Sequence, residues 1–169
     1  MFHPELIEPV KTVAAAHNIE AAFIAAIVMQ ESGGNSFKCR FEEGWKYFLK
    51  PSEWAPKVGT SYPTECSQQA TSWGLMQVIG STAREMGYEG LFPMLTGPVC
   101  GLKWGCLFLE HLSHRKDEQE KIVFNEKLCA AYNAGSPKRA ADGKWVNQGY
   151  VNGVNKFYDE LKATEAFSG

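Results

Sequence analysis

Residues 21–29 read Ala-Ala-Phe-Ile-Ala-Ala-Ile-Val-Met, a run without one polar side chain, and Gln30, Glu31, Ser32, Gly33 and Gly34 follow at once. A segment that is apolar on every side suits a helix covered all round in the middle of a domain. It is too short and too promptly interrupted to cross a bilayer. The paired glycines supply the positive φ that ends a helix, which puts Glu31 in the last turn. A carboxylate there faces the negative end of the helix dipole, and partial burial also penalises its charge. Both effects favour a carboxyl that holds a proton near neutral pH and can deliver it. The alternative is a last-turn glutamate that simply turns out to solvent, and this stretch alone leaves both open.

The rest of the composition narrows the class. A chain of 169 residues fits a single domain, 1–169, with length enough to bury a core. Its net charge of −2 gives no general attraction to nucleic acid or to an anionic membrane surface. The N-terminal MFHPELIEPVKTV lacks the basic-then-apolar order of a signal peptide, and no segment is long enough for membrane insertion. Five cysteines, with no CxxC pair, support neither a zinc site nor a required disulfide framework, and most read as small buried thiols. No metal and no cofactor is expected.

Leu6, Val10, Val13, Ala14 and His17 recur at helical spacing, with Pro9 tolerable only in a first turn. His17 reads as a capping or packing residue beside Asn18. Residues 36–72 hold Pro51, Pro56 and no sustained period, so they read as loops with short helical turns. Yet Phe37, Phe41, Trp45, Tyr47, Phe48, Trp54 and Tyr62 crowd this region. So many rings argue against disorder; they suit either a wall for flat sugar faces or packing of the loop onto the core. Trp73–Gly80 resembles a buried strand, with polar Gln77 set in it to lock the core or face a ligand. Thr82–Glu85 matches a capping box, and Gly87 a helix stop.

A helix is predicted from about Pro98 to His114, with Val99, Leu102, Cys106, Leu109 and Leu112 on one stripe. Residues 115–121 read as a solvated charged turn. A further helix runs from about Glu120 to Tyr132 and stops at Asn133-Ala134-Gly135. Tyr150, Val151, Val154, Phe157, Tyr158 and Leu161 mark a last amphipathic helix. Strand signals are weak, so the fold class is mainly α.

Three sites share one design, a buried apolar segment joined to a small-residue turn with a few polar atoms: QESGG at 30–34, GLMQ at 74–77 and AYNAG at 131–135. In that order they resemble the ES, GLMQ and AYNxG signatures of the soluble lytic transglycosylase family. Tyr150 in GYVNGV matches the tyrosine that heads that family's final helix. Each motif is weak alone; the ordered set, spanning about residues 20–161, is specific. The resemblance implies a lysozyme-like helical domain with a substrate groove and, as partner, the glycan strands of peptidoglycan. It implies cleavage of the MurNAc-β-1,4-GlcNAc bond with Glu31 as general acid and then base, leaving 1,6-anhydro-MurNAc ends. Ser32, Met76, Gln77, Tyr132, Asn133 and Tyr150 would bind substrate, with Ser32 near the acetamide or orienting Glu31.

A second carboxylate, Glu42 in Arg40-Phe41-Glu42, would suit an inverting muramidase of goose or phage type that activates water. The structural reading of Arg40-Phe41-Glu42 as a local ion pair is favoured. Glu53, Glu65 and Asp142 are weaker candidates. A non-catalytic glycan-binding or structural module is the third reading, which the retained Glu31 opposes. The protein is expected to be a monomer acting on the cell wall after release or delivery, as a phage lysin or virion component would.

Overall fold

The computed structural model describes residues 2–115, 117 and 119–168. In chain order the helices and strands begin with α1 (Pro4–Ala16), α2 (Ala21–Ser32), β1 (Cys39–Phe41), α3 (Pro51–Lys57) and α4 (Tyr62–Gln69). There follow β2 (Thr71–Trp73), β3 (Val78–Ile79), α5 (Gly80–Glu85) and a 3-10 turn, Phe92–Thr96. The chain closes with α6 (Pro98–Ser113), α7 (Glu126–Ala134) and α8 (Gln148–Lys162). The fold is mainly helical, as the patterning predicts. Two compact units form, one from Met1–Gly34 with Cys106–Gly169 and the other from Asn35–Gly105.

The first unit is built around α2, whose residues from Ala22 through Val28 are all buried. Helices α1 and α8 pack along it, and α7 packs on α8. α1 contributes Leu6, Val10, Val13 and Ala14. Pro9 lies inside this helix, not in its first turn, because Pro4 begins the helix earlier. α8 presents Val151, Val154 and Leu161. At the start of α2, Glu20 accepts from the Tyr158 hydroxyl (2.9 and 3.0 Å to its two oxygens) and from the Phe124 N–H (3.3 Å). The Lys162 ammonium lies 3.3 Å away. His17 sits at the C-cap of α1 and pairs with Glu110 at 3.2 Å.

α7 begins at Glu126, later than the periodicity predicts. Ile122 is engaged in extended pairing, its N–H on Asn18 O (2.9 Å) and its carbonyl on Glu20 N–H (2.8 Å). Asn125 then caps the helix, its side chain accepting from Leu128 N–H at 2.8 Å. Lys116 and Glu118 of the expected charged turn lie outside the described residues. Arg115 is half-buried rather than solvated; it donates to His17 O (2.9 Å) and pairs with Glu110.

The second unit carries a three-stranded antiparallel sheet in the order β1-β2-β3, with Cys39 opposite Trp73 and Ser72 opposite Ile79. The stretch expected as one strand over 73–80 is therefore a hairpin turn. Its reversal needs Gly74 at φ +71°, where any Cβ would stand 2.3 Å from Leu95 O. Residues 36–72 are more regular than expected, since α3 and α4 lie among them. Thr82 is not an N-cap: α5 starts two residues earlier, with Ile79 in the cap position. Val99 is exposed, off the buried stripe of Leu102, Cys106 and Leu109 on α6. All five cysteines are free; Cys106 and Cys129 are buried as expected, but Cys39 is exposed on an edge strand.

An ion pair is buried within this unit. Arg84 grips Glu65 with two bonds, Nε to Oε1 at 2.8 Å and Nη2 to Oε2 at 3.1 Å, both side chains being fully buried. Gln69 donates to the same carboxylate (3.0 Å), and the Arg84 guanidinium lies over Phe92, 4.1 Å from its ring centre. Arg84 also donates to the carbonyls of Tyr88 and Gly90. So Glu65, a weak catalytic candidate by sequence, is a structural anchor here. Removing one member of such a pair leaves an uncompensated buried charge. Glu65→Ala is expected to lower stability by about 3–5 kcal/mol, read as a loss of melting temperature, whereas Glu53→Ala, which removes an exposed pair with Lys50, should leave it nearly unchanged.

Candidate active site

Glu31 stands in the last turn of α2, one residue before its end. The helix stops because Gly33 takes a left-handed φ of +64° and returns its N–H to Met29 O at 3.1 Å. Ser32 is buried and completes this stop: its hydroxyl donates to Val28 O (3.0 Å) and accepts from Gly34 N–H (3.2 Å). Its hydroxyl is thus bonded to the backbone of the turn on which Glu31 stands.

The Glu31 side chain is half-buried, not splayed into solvent. The Tyr150 hydroxyl, from the first turns of α8, donates to Glu31 Oε1 at 2.7 Å. Tyr132, near the end of α7, is buried with its ring 5.2 Å from that of Phe108. Burial, followed by the negative charge of Glu31, pushes the Tyr132 phenol well above the usual tyrosine range. The Tyr150 phenol is raised in the same way, burial leading and the Glu31 charge next. Both phenols therefore stay protonated at any ordinary pH and remain hydrogen-bond donors. α2 and α8 approach closely at Gly153, over which the Gln30 amide lies where a side chain would stand.

Asn133 is exposed at the tip of α7, and Gly135 at φ +73° ends that helix behind it. Its Oδ1 accepts from Asn147 Nδ2 at 2.9 Å. Asn147 was not distinguished by sequence reasoning; an asparagine just before a helix reads as a routine cap. Glu31, Ser32, Tyr132, Asn133 and Tyr150 all belong to the first unit, where Glu31 and the two phenols meet.

Met76, Gln77 and Glu42 belong to the second unit. Met76 is buried, its thioether packed where a Cβ on Gly105 would stand. Gln77 holds a strained φ of +48° in the GLMQ turn, and its Nε2 donates to Lys38 O and Gly74 O, both at 2.9 Å. Its Oε1 is buried and accepts no hydrogen bond among the described residues. Glu42 is tied to its own strands: Oε1 accepts from Arg40 Nε (2.8 Å), Arg40 Nη2 (2.7 Å) and the Ser72 hydroxyl (3.0 Å). Glu53 and Asp142 likewise face lysines, Lys50 at 3.2 Å and Lys144 at 3.5 Å. The aromatic segment divides, with Trp54 packed under Arg84 and Lys57 while Phe37 and Tyr47 are 79% and 72% exposed.

Among the described residues no cluster of His, Cys, Asp and Glu could hold a metal ion, and no helix is long and apolar enough to cross a membrane. No curated protein and no solved structure is matched by the sequence. The family described as Transglycosylase SLT domain does match, over residues 8–156, a span that takes in Glu31, the GLMQ turn, Asn133 and Tyr150. The chain thus belongs to the transglycosylase SLT domain family.

Proposed function

We propose that this protein cleaves the MurNAc-β-1,4-GlcNAc bond by lytic transglycosylation, with Glu31 as its one proton-transfer residue. Family membership supplies the substrate class, peptidoglycan, and with it the cell wall as the place of action. The observation that carries the assignment is the carboxyl of Glu31 at the end of an apolar helix, held at 2.7 Å by a phenol that does not itself ionise.

The steps balance without water. Protonated Glu31 gives its proton to the glycosidic oxygen, the C1–O bond breaks, and the GlcNAc fragment leaves as the alcohol. The positive charge at the muramyl C1 is met by the substrate's own acetamide oxygen, as in substrate-assisted glycosidases. The Glu31 carboxylate then takes the proton of the muramyl C6 hydroxyl, and O6 closes on C1 to give the 1,6-anhydro ring. The residue is left protonated, ready for the next bond.

Tyr150 orients the carboxyl, and Tyr132 adds a second neutral phenol beside it. Ser32 is assigned to the turn rather than to the sugar. Asn133, Met76 and Gln77 are assigned to the sugar subsites; the unmet Gln77 Oε1 supports an acceptor role toward a sugar hydroxyl or acetamide N–H. Met76, being buried, would support that turn from within. The exposed rings of Phe37 and Tyr47 suit stacking on sugar faces. Glu42 is assigned to the ion pair with Arg40, since its Oε1 is already engaged by Arg40 and by the Ser72 hydroxyl.

Digestion of purified peptidoglycan followed by mass spectrometry is the direct test. Muropeptides lacking one water relative to hydrolysed ends are expected; reducing ends would make the protein a muramidase, and intact strands a binding module. Glu31→Gln is expected to lower turnover by about 10²–10⁴-fold with the far-UV spectrum retained, and Glu42→Gln by less than about tenfold.

The pH profile gives a second test. Turnover begins from protonated Glu31, so its loss at high pH follows deprotonation of that carboxyl, the phenols being raised out of range. A hydrogen bond donated to the charged form favours ionisation. Tyr150→Phe removes it, so the alkaline limb should move to higher pH while the maximal rate falls. A limb that stays fixed would mean that another group sets it.

A further inference from the structure

Asn147 occupies the N-cap position of α8, where an asparagine oxygen ordinarily accepts an N–H of the first turn. Here the side chain makes no such bond. The Tyr150 and Val151 N–H groups use the Asn147 backbone carbonyl instead, at 2.9 and 3.3 Å. The side chain turns to α7, where Nδ2 donates to Ala130 O at 3.1 Å and to Asn133 Oδ1 at 2.9 Å. Its Oδ1 is buried and accepts no hydrogen bond among the described residues. A cap is forgone and an acceptor left unmet, so the bonds made by the NH₂ group are what this placement secures.

Amide orientation is normally ambiguous between oxygen and nitrogen. Here one neighbour fixes it. A backbone carbonyl only accepts, so the group that faces Ala130 O must be the Asn147 NH₂. The second hydrogen of that NH₂ meets Asn133, whose facing atom must then be its oxygen. The Asn133 NH₂ is consequently the end left for anything that binds at the exposed tip of α7.

We propose that Asn147 is a positioning residue for Asn133: by occupying the Asn133 carbonyl it makes Asn133 present a donor, selecting an oxygen acceptor on an N-acetylated sugar. The inference rests on reading the tip of α7 as a sugar-binding surface, but the amide relay itself exists in the ligand-free protein and is tested there.

Side-chain amide NMR of ligand-free protein is the first arm. The Asn147 NH₂ should exchange slowly with solvent and the Asn133 NH₂ quickly. Asn147→Asp, whose carboxylate can only accept, should reverse Asn133 and slow its NH₂. An Asn133 NH₂ already slow in the wild type, or unaltered by Asn147→Asp, would overturn the proposal whatever the activity. Calorimetric titration with the N-acetylglucosamine trimer is the second arm. Asn133→Asp keeps the oxygen that accepts from Asn147 but loses the outward donor. It should bind about tenfold more weakly with an unchanged melting temperature; wild-type affinity would overturn the proposal. Asn147→Asp should weaken binding to a similar degree, yet add nothing in an Asn133→Ala background. An additive loss would mean that Asn147 acts by another route. A normal relay in a protein that leaves peptidoglycan intact would instead refute the catalytic reading alone.

Discussion

A helix without a polar face has to be covered on every side, and α2 is such a helix: from Ala22 to Val28 no side chain meets solvent. Its covering determines the rest of the first unit. Apolar contact alone would leave α8 free to slide along α2, since one aliphatic ridge resembles the next. The polar groups at the two ends of α2 remove that freedom. Tyr158 donates to Glu20 at one end and Tyr150 to Glu31 at the other. A slip of one turn, about 5.4 Å, would break both bonds. The same contact that fixes the register therefore delivers the phenol to the carboxyl.

The two glutamates are alike in being held by a tyrosine of α8, and opposite in their setting. Glu20 lies at the positive end of the helix dipole with the Lys162 ammonium and the Phe124 N–H as further partners. Glu31 lies at the negative end, where the dipole opposes its charge. One carboxylate ties the start of α2 to α8 and to the Phe124 N–H. The other is the group that, in the proposed reaction, both gives and takes a proton.

How far the sequence discloses this depends on whether a feature is local. The apolar run and the glycine stops at Gly33 and Gly135 are local chemistry, and they are found where the residues predict. The stripe on α8 is likewise legible. Failures occur where a distant segment decides. The start of α7 is set by the pairing of Ile122 with residues 18–20, which no period in the sequence reveals. The GLMQ turn is hidden inside an apolar run because Leu75 and Met76 are buried in a reversal rather than a strand. Glu65 and Arg84 stand nineteen residues apart, and nothing near either announces a partner. Asn147 is the sharpest case, since the local rule predicts a cap and the side chain spends its bonds on α7.

These departures from local preference fall at or next to residues that the proposed chemistry uses. A cap is surrendered at Asn147, a non-glycine residue is held at positive φ at Gln77, and a carboxylate is set against the dipole at Glu31. Each is unfavourable alone and is tolerated because its surroundings are fixed by stronger constraints. The phenols complete the logic. With Tyr132 and Tyr150 raised far above their usual range, neither can take up a proton-transfer role near neutral pH. In the proposed mechanism the carboxyl at position 31 carries the proton, and the Tyr150 phenol stays its donor throughout. A single carboxyl with neutral phenols beside it suits the proposed reaction, in which the second nucleophile comes from the substrate. A hydrolase of the inverting kind needs a second base poised to take a proton from water, and Glu42, bound on one oxygen by Arg40 and Ser72, is arranged for holding two strands together instead.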